Sequence, residues 1–135
     1  MQFIPYLNFN GECETAFKFY ERSLGGTADI RKYGDSPMAK DTPPEWQGRV
    51  MHARLDVGDA VLMGSDRAPG QDEQSKGTYV SLAINDVAEA ERIFKALADK
   101  GSIELPLQET FWAARFGMLV DQFGTPWMIN CERAA

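Results

Sequence analysis

A strand–turn–strand pattern that occurs twice constrains the fold of this chain more than any other feature. The first copy, VMHARLDVGDAVLMGSD, covers Val50–Asp66, and the second lies within Phe111–Glu132, FWAARFGMLVDQFGTPWMINCE. In the alignment of the two copies, Met63 falls on Met128. Because one hairpin recurs late in the chain, we expect two copies of one larger module.

The segments around each hairpin repeat one order of elements. A strand comes first, an amphipathic helix follows it, and a further strand precedes the hairpin. The sequence predicts helices at Glu12–Leu24 and after Asp86, where a D-x-x-E pattern provides an N-terminal cap. The predicted strands are Phe3–Phe9, Ala28–Tyr33, Val50–Val57, Ala60–Ser65, Tyr79–Ile84, Ile103–Glu109, Phe116–Val120 and Trp127–Cys131. We expect loops at Gly34–Gly48 and Thr110–Arg115, and a connector at Arg67–Gly77.

This order, β-α-β-β-β twice, predicts a single α+β domain of two repeats, approximately 1–68 and 77–135. Each repeat forms a curved mixed sheet with its helix outside, and the two sheets enclose a cavity. Alternation along the strands then sorts the side chains. The expected helix-facing residues are Met51, Ala53, Leu55, Val80, Leu82 and Ile84, and the expected cavity-facing residues are Tyr6, Asn8, His52, Arg54, Tyr79 and Ser81.

Charge and composition exclude several classes of protein. The 135 residues include 14 Lys and Arg against 20 Asp and Glu, and the net charge of −6 disfavours nucleic acid and anionic membranes as partners. Neither a transmembrane run nor a signal peptide is evident in the sequence. Cys13 and Cys131 are far apart, and one histidine does not complete a zinc site. We therefore expect a cytoplasmic protein with two free thiols.

The motifs GECETAFKFY, HARLDVGDAVLMGSD and FWAARFGMLVDQFGTPW resemble those of a known family. Together with the repeated layout, they are similar to the glyoxalase/bleomycin-resistance/dioxygenase (vicinal oxygen chelate) superfamily, and within it to the PhnB-like branch, also labelled demethylubiquinone methyltransferase-like. The resemblance covers essentially the whole chain. Two departures, Gln122 where the branch usually has Pro and Thr125 where His is common, lie in the last turn.

The resemblance implies a cavity metal held by His, Glu or Gln, at one position on the first and one on the last strand of each half. In this chain the positions fall on Pro5 (or Ile4), Met63, Tyr79 and Met128. Methionine suits soft copper(I) rather than hard divalent ions. A one-residue shift would bring in Leu62, Ser65 or Asn130, which do not rebuild a four-ligand site. We therefore predict no metal and no cofactor.

Polar cavity candidates are few. His52, the only histidine, is the candidate catalytic residue, since imidazole titrates near neutral pH, but a structural strand histidine is the favoured interpretation. Arg54 and Arg115 are candidates for holding an anionic ligand, with ion pairing or anchoring as the alternative. For Asp66 and Asp121, turn capping explains the residues better than catalysis.

An apolar pocket is the second element of the predicted site. Trp112, Phe116, Tyr79, Met63 and Met128 suit a flat or aromatic ligand, and cavity filling is the alternative. Tyr6, Ser65 and Asn130 complete the candidate ligand-binding set. Trp46, in the 34–48 loop, is expected to cover a ligand or to pack on a second subunit of a homodimer.

Three functions remain open from the sequence. The favoured one is a metal-free homodimer that binds a small molecule. The alternatives are a superfamily enzyme (lyase, isomerase, dioxygenase or thiol transferase) that uses a metal or His52, and a structural dimer with a filled cavity. A methyltransferase is least supported, because no Gly-rich cofactor loop lies between a strand and a helix.

Overall fold

The computed structural model describes residues 1–67 and 76–133. The chain divides into two compact units, residues 1–75 and 76–135. Each unit contains one four-stranded sheet and one helix of 12 residues. The predicted repeats, 1–68 and 77–135, fall one in each unit, and most of the predicted connector lies outside the described residues.

The first unit begins with β1 (Tyr6–Phe9) and α1 (Cys13–Leu24) and continues with β2 (Thr27–Lys32), β3 (Val50–Val57) and β4 (Ala60–Asp66). The sheet order is β1-β4-β3-β2. Strand β1 runs parallel to β4, and the other neighbours are antiparallel. The sheet is therefore mixed.

The second unit has the same order of elements. Its elements are β5 (Val80–Ala83), α2 (Val87–Ala98), β6 (Ser102–Gln108), β7 (Ala113–Val120) and β8 (Pro126–Glu132). The sheet order β5-β8-β7-β6, with β5 parallel to β8, reproduces the topology of the first unit. The predicted α+β fold, with β-α-β-β-β occurring twice, is confirmed.

Each helix covers one face of its own sheet, because alternate strand residues on that face are apolar. In the first unit, Phe17 and Tyr20 of α1 are fully buried, as are Ala53 and Leu55 of β3. In the second unit, the equivalent layer consists of Ala90, Leu97, Leu119, Trp127 and Ile129, all with no exposed surface. The predicted helix-facing side is thus correct for β3 at positions 53 and 55.

The two helices are capped in different ways. Asp86 accepts a hydrogen bond from the Glu89 backbone N–H at 3.0 Å, as the D-x-x-E pattern predicts. Helix α1 has no side-chain cap from Glu12. Its first N–H, from Cys13, donates instead to Asp66 at the end of β4, at 3.0 Å.

Three local predictions differ from the structure. β1 begins at Tyr6 rather than Phe3, since Pro5 has no N–H for a strand ladder and Phe3 is almost fully exposed. β7 begins at Ala113 rather than Phe116, with an irregular register between Ala113 and Arg115. A bulge opposite Arg31 and Lys32 buries Val50 in place of Met51.

The predicted 34–48 loop contains three single-turn 3-10 segments, Tyr33–Asp35, Ala39–Asp41 and Pro44–Trp46. The Arg49 guanidinium carbon lies 4.1 Å from the centroid of the Trp46 ring, which also meets Tyr33 edge-on. Arg49 in turn donates to Asn10 at 3.0 Å. Trp46 therefore packs within its own unit. Its predicted contacts with a ligand or a second subunit remain untested.

Within the described residues, the helices are too short or too polar to cross a membrane.

Candidate functional site

The candidate residues lie mainly on the sheet faces that the helices leave uncovered. We call these the first and second open faces. The first open face carries Tyr6 and Asn8 of β1, His52 and Arg54 of β3, and Met63 and Ser65 of β4. The second carries Tyr79 just before β5, Ser81 of β5, Phe116 and Met118 of β7, and Met128 and Asn130 of β8. Strand alternation places these side chains opposite the buried layer under each helix.

On the first open face, strand pairing brings three candidates into one row. Tyr6 lies opposite Met63, and Met63 lies opposite Arg54. The Tyr6 hydroxyl is 3.4 Å from His52 Nδ1, and their ring centroids are 5.9 Å apart. At this length the hydrogen bond is weak, and the pair is exposed. The structure thus places the phenol and the imidazole side by side.

Arg54 is already engaged by a carboxylate. Its Nε donates to both oxygens of Asp56 at 3.1 Å, and a second guanidinium nitrogen donates at 3.0 Å. The hydrogen bonds and the charge of Asp56 raise the pKa of Arg54. On the neighbouring strand, Arg31 pairs with Asp29 at 3.4 Å. The charges of this face are therefore matched locally, which favours the ion-pair interpretation of Arg54.

The second open face has an apolar centre around one amide. Asn130 lies opposite Phe116, and Met128 lies opposite both Met118 and Ser81. The Oδ1 atom of Asn130 is buried and has no hydrogen-bond partner among the described residues.

A hydrogen bond joins the two edges of the second sheet. The Tyr79 hydroxyl, just before β5, donates to Oε1 of Glu104 on β6 at 2.8 Å. The strands β8 and β7 lie between β5 and β6, a separation of about 14 Å in a flat sheet. The sheet must therefore curve, with this pair on the side away from α2. The hydrogen bond to Glu104 raises the pKa of Tyr79, so the phenol remains the donor.

Three aromatic rings extend this face towards the start of β7. The Trp112 ring meets Phe116 with centroids 5.5 Å apart, and Phe111 meets Trp112 at 4.8 Å. Phe111 is 89% exposed and Trp112 is 50% exposed. Trp112 and Phe116 therefore form part of an accessible aromatic surface beside Asn130.

Arg115 is the candidate that the structure places elsewhere. It lies opposite the buried Cys131, on the helix side of the sheet. Its Nε donates to Glu91 of α2 at 3.2 Å, and another nitrogen donates to the Ala114 carbonyl. The structure does not bring Arg115 together with the residues of the second open face.

The positions that the superfamily uses for a metal do not provide suitable donors in either unit. Met63 and Met128 project from the open faces, Tyr79 is bound to Glu104, and Pro5 has no donor side chain. Among residues 1–67 and 76–133, no three His, Cys, Asp or Glu side chains converge to form a metal site. The donor chemistry of these positions does not fit a hard divalent ion.

Sequence reasoning missed three residues of the second open face. Met118 follows Phe116 at strand spacing, so alternation in β7 was the signal that would have found it. Glu104 lies at a register shift in β6, where alternation fails. Phe111 is visible in the sequence as a neighbour of Trp112, but its exposure is evident only in the structure.

Comparisons with known proteins agree with this fold. A family model described as 3-demethylubiquinone-9 3-methyltransferase matches residues 1–130. Protein YjdN of Escherichia coli (strain K12) is 36% identical over 139 residues, which cover 96% of this chain and 95% of YjdN. The crystal structure of protein PA1353 from Pseudomonas aeruginosa is 49% identical, with a TM-score of 0.90 over 99% of both chains.

More distant structures share the fold alone. The PhnB protein from Bacillus cereus is 22% identical with a TM-score of 0.78, over 97% of this chain and 99% of that one. A glyoxylase/bleomycin resistance protein/dioxygenase domain from Frankia sp. EAN1pec is 14% identical with a TM-score of 0.65, over 98% and 95%. These likenesses connect the two four-stranded sheets to the glyoxalase/bleomycin resistance fold.

Proposed function

The chain belongs to the PhnB-like family, described as 3-demethylubiquinone-9 3-methyltransferase, on a glyoxalase/bleomycin resistance fold, and from this premise we propose that it is a metal-free homodimer that binds a small organic molecule. The family and fold do not by themselves define an activity, because one fold supports many chemistries. The proposal therefore depends on the site.

The observation that carries the proposal is the unpaired Oδ1 of Asn130. A buried polar atom without a partner costs about 1–3 kcal/mol. The surrounding side chains, Met118, Phe116 and Met128, offer it no strong donor. A polar atom retained in an apolar surface at this cost is typical of a site where a ligand supplies the missing hydrogen bond.

A screen of small molecules tests the binding function. Thermal-shift measurement with a broad library, followed by calorimetry, is expected to give ligands that raise the melting temperature. For such ligands, Asn130→Leu is expected to weaken binding about tenfold, which corresponds to about 1.4 kcal/mol. The same substitution should leave the free energy of unfolding unchanged or raised, because it removes an unsatisfied group.

The matched control is Asn85→Leu, at an exposed asparagine between β5 and α2. It should leave both binding and stability close to wild type. A large destabilisation by Asn130→Leu with unaltered binding would show that the amide is structural. If the screen yields no ligand, the function is wrong and a structural dimer with a filled interior is favoured.

The metal-free part of the proposal has its own test. Its support is the donor chemistry of Met63, Tyr79 and Met128. Protein purified without a chelating tag is expected to contain far less than one divalent ion per chain by elemental analysis. A stoichiometric divalent metal would contradict this part and favour a superfamily enzyme.

The homodimer is supported by the resemblance of the whole chain to two-module members of the superfamily. Light scattering after size-exclusion chromatography should give a mass of about twice the 15.1 kDa of one chain. A mass that stays at that of one chain as the protein concentration rises would contradict the dimer.

A second candidate function is acid–base catalysis by His52, and the adjacent Tyr6 hydroxyl is the observation that favours it. The chain has one histidine, so its imidazole NMR signals are unambiguous. Conversion of a screened ligand by wild type, with loss of conversion in His52→Gln but not in Asn85→Leu, would support an enzyme. Binding without conversion would support the binding protein.

The family description names a methyltransferase, but the helix starts of this chain are not free to hold an anionic cofactor group. Helix N-termini hold anionic cofactor groups only when their N–H groups are free. Here Asp66 occupies the start of α1, and Asp86 occupies the start of α2.

A further inference from the structure

We propose that the second open face selects an organic cation that also carries a hydrogen-bond donor, such as a protonated aryl-alkylamine with a phenol group. This inference rests on the proposed binding function, because it names the chemical class of the ligand. It is carried by four kinds of groups on the face: an unpaired amide, a carboxylate, two thioethers and aromatic rings. Each of them is electron-rich.

Two acceptors define the ends of the site. Asn130 Oδ1 is unpaired and accepts from a neutral O–H or N–H. Glu104 is exposed, and Tyr79 holds its Oε1 by a hydrogen bond of 2.8 Å. A carboxylate has lone pairs on both oxygens, so an ammonium group can bind Glu104 while the phenol stays in place. The Tyr79 contact fixes the carboxylate against rotation.

The spacing between the two ends sets the length of the ligand. Tyr79 precedes β5 at the level of Pro126, four residues from Asn130 along β8. Four residues of a strand span about 13 Å. The hydrogen bond that the ligand makes at each end takes up about 3 Å of this distance. A donor and a cation separated by about 8 Å, as in tyramine, are therefore of suitable length.

The surface between the ends favours a cation attached to an apolar body. Met118 and Met128 lie opposite each other and present polarizable sulfur atoms. Phe116 and Trp112 stack edge to face beside Asn130. Aromatic faces attract cations and also pack against an aromatic ring. An aliphatic or anionic ligand would use fewer of these groups.

Arg115, the neighbour of Phe116 in the sequence, is directed away from this face. Arg115 pairs with Glu91 on the helix side. The described residues that alternation assigns to the second open face include no lysine or arginine. An anionic ligand would thus meet Glu104 without a compensating cation.

Three probes of matched size test the inference: tyramine, its neutral analogue 4-propylphenol and the anion 3-(4-hydroxyphenyl)propanoate. We expect tyramine to bind about fivefold to tenfold more tightly than 4-propylphenol, by calorimetry or NMR titration of the wild-type protein. The anion should bind least tightly. Asn130→Leu should weaken tyramine and 4-propylphenol by similar factors, because both carry the phenol donor.

The charge preference has a direct control. Glu104→Gln should reduce tyramine to the affinity of 4-propylphenol, and circular dichroism should show an unchanged fold. Glu91→Gln removes the same charge on the helix side and should preserve the preference.

Two outcomes would overturn the inference without touching the proposed function. One is equal binding of tyramine and 4-propylphenol; the other is a preference that survives Glu104→Gln. Failure of all three probes to bind also overturns the inference, whereas the proposed function is decided separately by the library screen.

Discussion

The carboxylate of Asp66 connects segments that are far apart in the sequence. It is 3% exposed and accepts three backbone hydrogen bonds. Its Oδ1 binds the N–H groups of Gly11 and Cys13 at 2.8 and 3.0 Å, and Oδ2 binds the N–H of Val50 at 2.8 Å. One side chain at the end of β4 thus connects the start of α1 to the start of β3.

Replacement of Asp66 by alanine is expected to destabilise the protein by about 3 kcal/mol, since buried backbone donors lose their acceptor. Urea denaturation followed by circular dichroism measures this change. The control Asp59→Ala removes an exposed turn aspartate and should cost less than about 0.5 kcal/mol. Equal effects of the two substitutions would show that the three hydrogen bonds contribute little net stability.

Cys13 gives the protein a specific sensitivity to alkaline pH. Burial, together with the charges of Asp66 and Glu14, raises the pKa of the Cys13 thiol in the folded state. Below an ordinary thiol pKa of about 8.5, the folded and unfolded states both keep the proton. Above it, only the unfolded thiol ionises, so the free energy of unfolding falls as pH rises.

The expected loss from this residue is about 2 kcal/mol between about pH 7 and pH 10. It is measured as the difference between wild type and Cys13→Ala in urea denaturation across that range. The alanine variant should lack this contribution while keeping any slope due to other groups. Parallel pH profiles for the two proteins would contradict the prediction.

The hydrogen-bond partners of Asp66 and Asp121 differ in how far they could be predicted from the sequence. Turn capping was the predicted role of Asp66, but its partners are 16 to 55 positions away. No local pattern encodes such a contact. For Asp121, the prediction was sufficient: Oδ1 accepts the N–H groups of Phe123 and Thr125 in the turn, and Oδ2 also accepts from the Trp127 indole at 2.9 Å.

At the element scale, each helix lies against its sheet through one strand glycine. A Cβ at Gly64 of β4 would lie 2.7 Å from Cε1 of Phe17, and a Cβ at Gly117 of β7 would lie 2.7 Å from Cε2 of Phe94. Both positions also face backbone atoms within 2.9 Å. The absence of a side chain therefore lets a phenylalanine of each helix approach the strand closely.

Gly64→Ala and Gly117→Ala are each expected to destabilise the protein by about 1–3 kcal/mol, because the added methyl group overpacks the layer. The control is Gly48→Ala, where no atom lies within 4 Å and φ is not positive. It should be neutral or slightly stabilising. Urea denaturation measures the free energy of unfolding of all three variants. Loss of stability in the control alone would refute the packing argument.

Element boundaries were predictable where alternation is regular. The predicted bounds of β3, Val50–Val57, match the structure, since polar and apolar residues alternate from Met51 to Val57. The start of β7 was missed, because the register shifts between Ala113 and Arg115 and alternation is lost there. Arg115 was expected near a ligand because it adjoins Trp112 and Phe116 in a predicted loop. It belongs to β7 instead, and its pairing with the buried Cys131 places it on the helix side.

At the scale of the whole chain, the repeat carried most of the predictive information. Two copies of one hairpin implied two copies of one topology, and both sheets have it. The repeat does not predict function, because the copies differ in the residues that they expose. The first open face carries matched ion pairs, whereas the second carries an unpaired amide and an aromatic cluster.

The net charge of −6 should make the affinity for charged ligands depend on salt concentration. An acidic protein concentrates cations near its surface and repels anions, and added salt screens both effects. If the ligand is cationic, tyramine should bind about threefold less tightly at about 0.5 M than at about 0.05 M salt, since the screening length falls well below 10 Å. The anionic probe should show the opposite slope, and 4-propylphenol should show almost none.

Calorimetric titrations at several salt concentrations measure these slopes for wild type and for Glu104→Gln. The variant should retain a smaller slope of the same sign for tyramine, because the remaining acidic residues still act at long range while the nearest charge is gone. Identical slopes for the cation and the anion would mean that salt acts on the protein rather than on the charge of the ligand. In that case electrostatic attraction would not contribute to ligand binding. Apolar contact with Phe116, Met118 and Met128 would then be the whole source of the affinity.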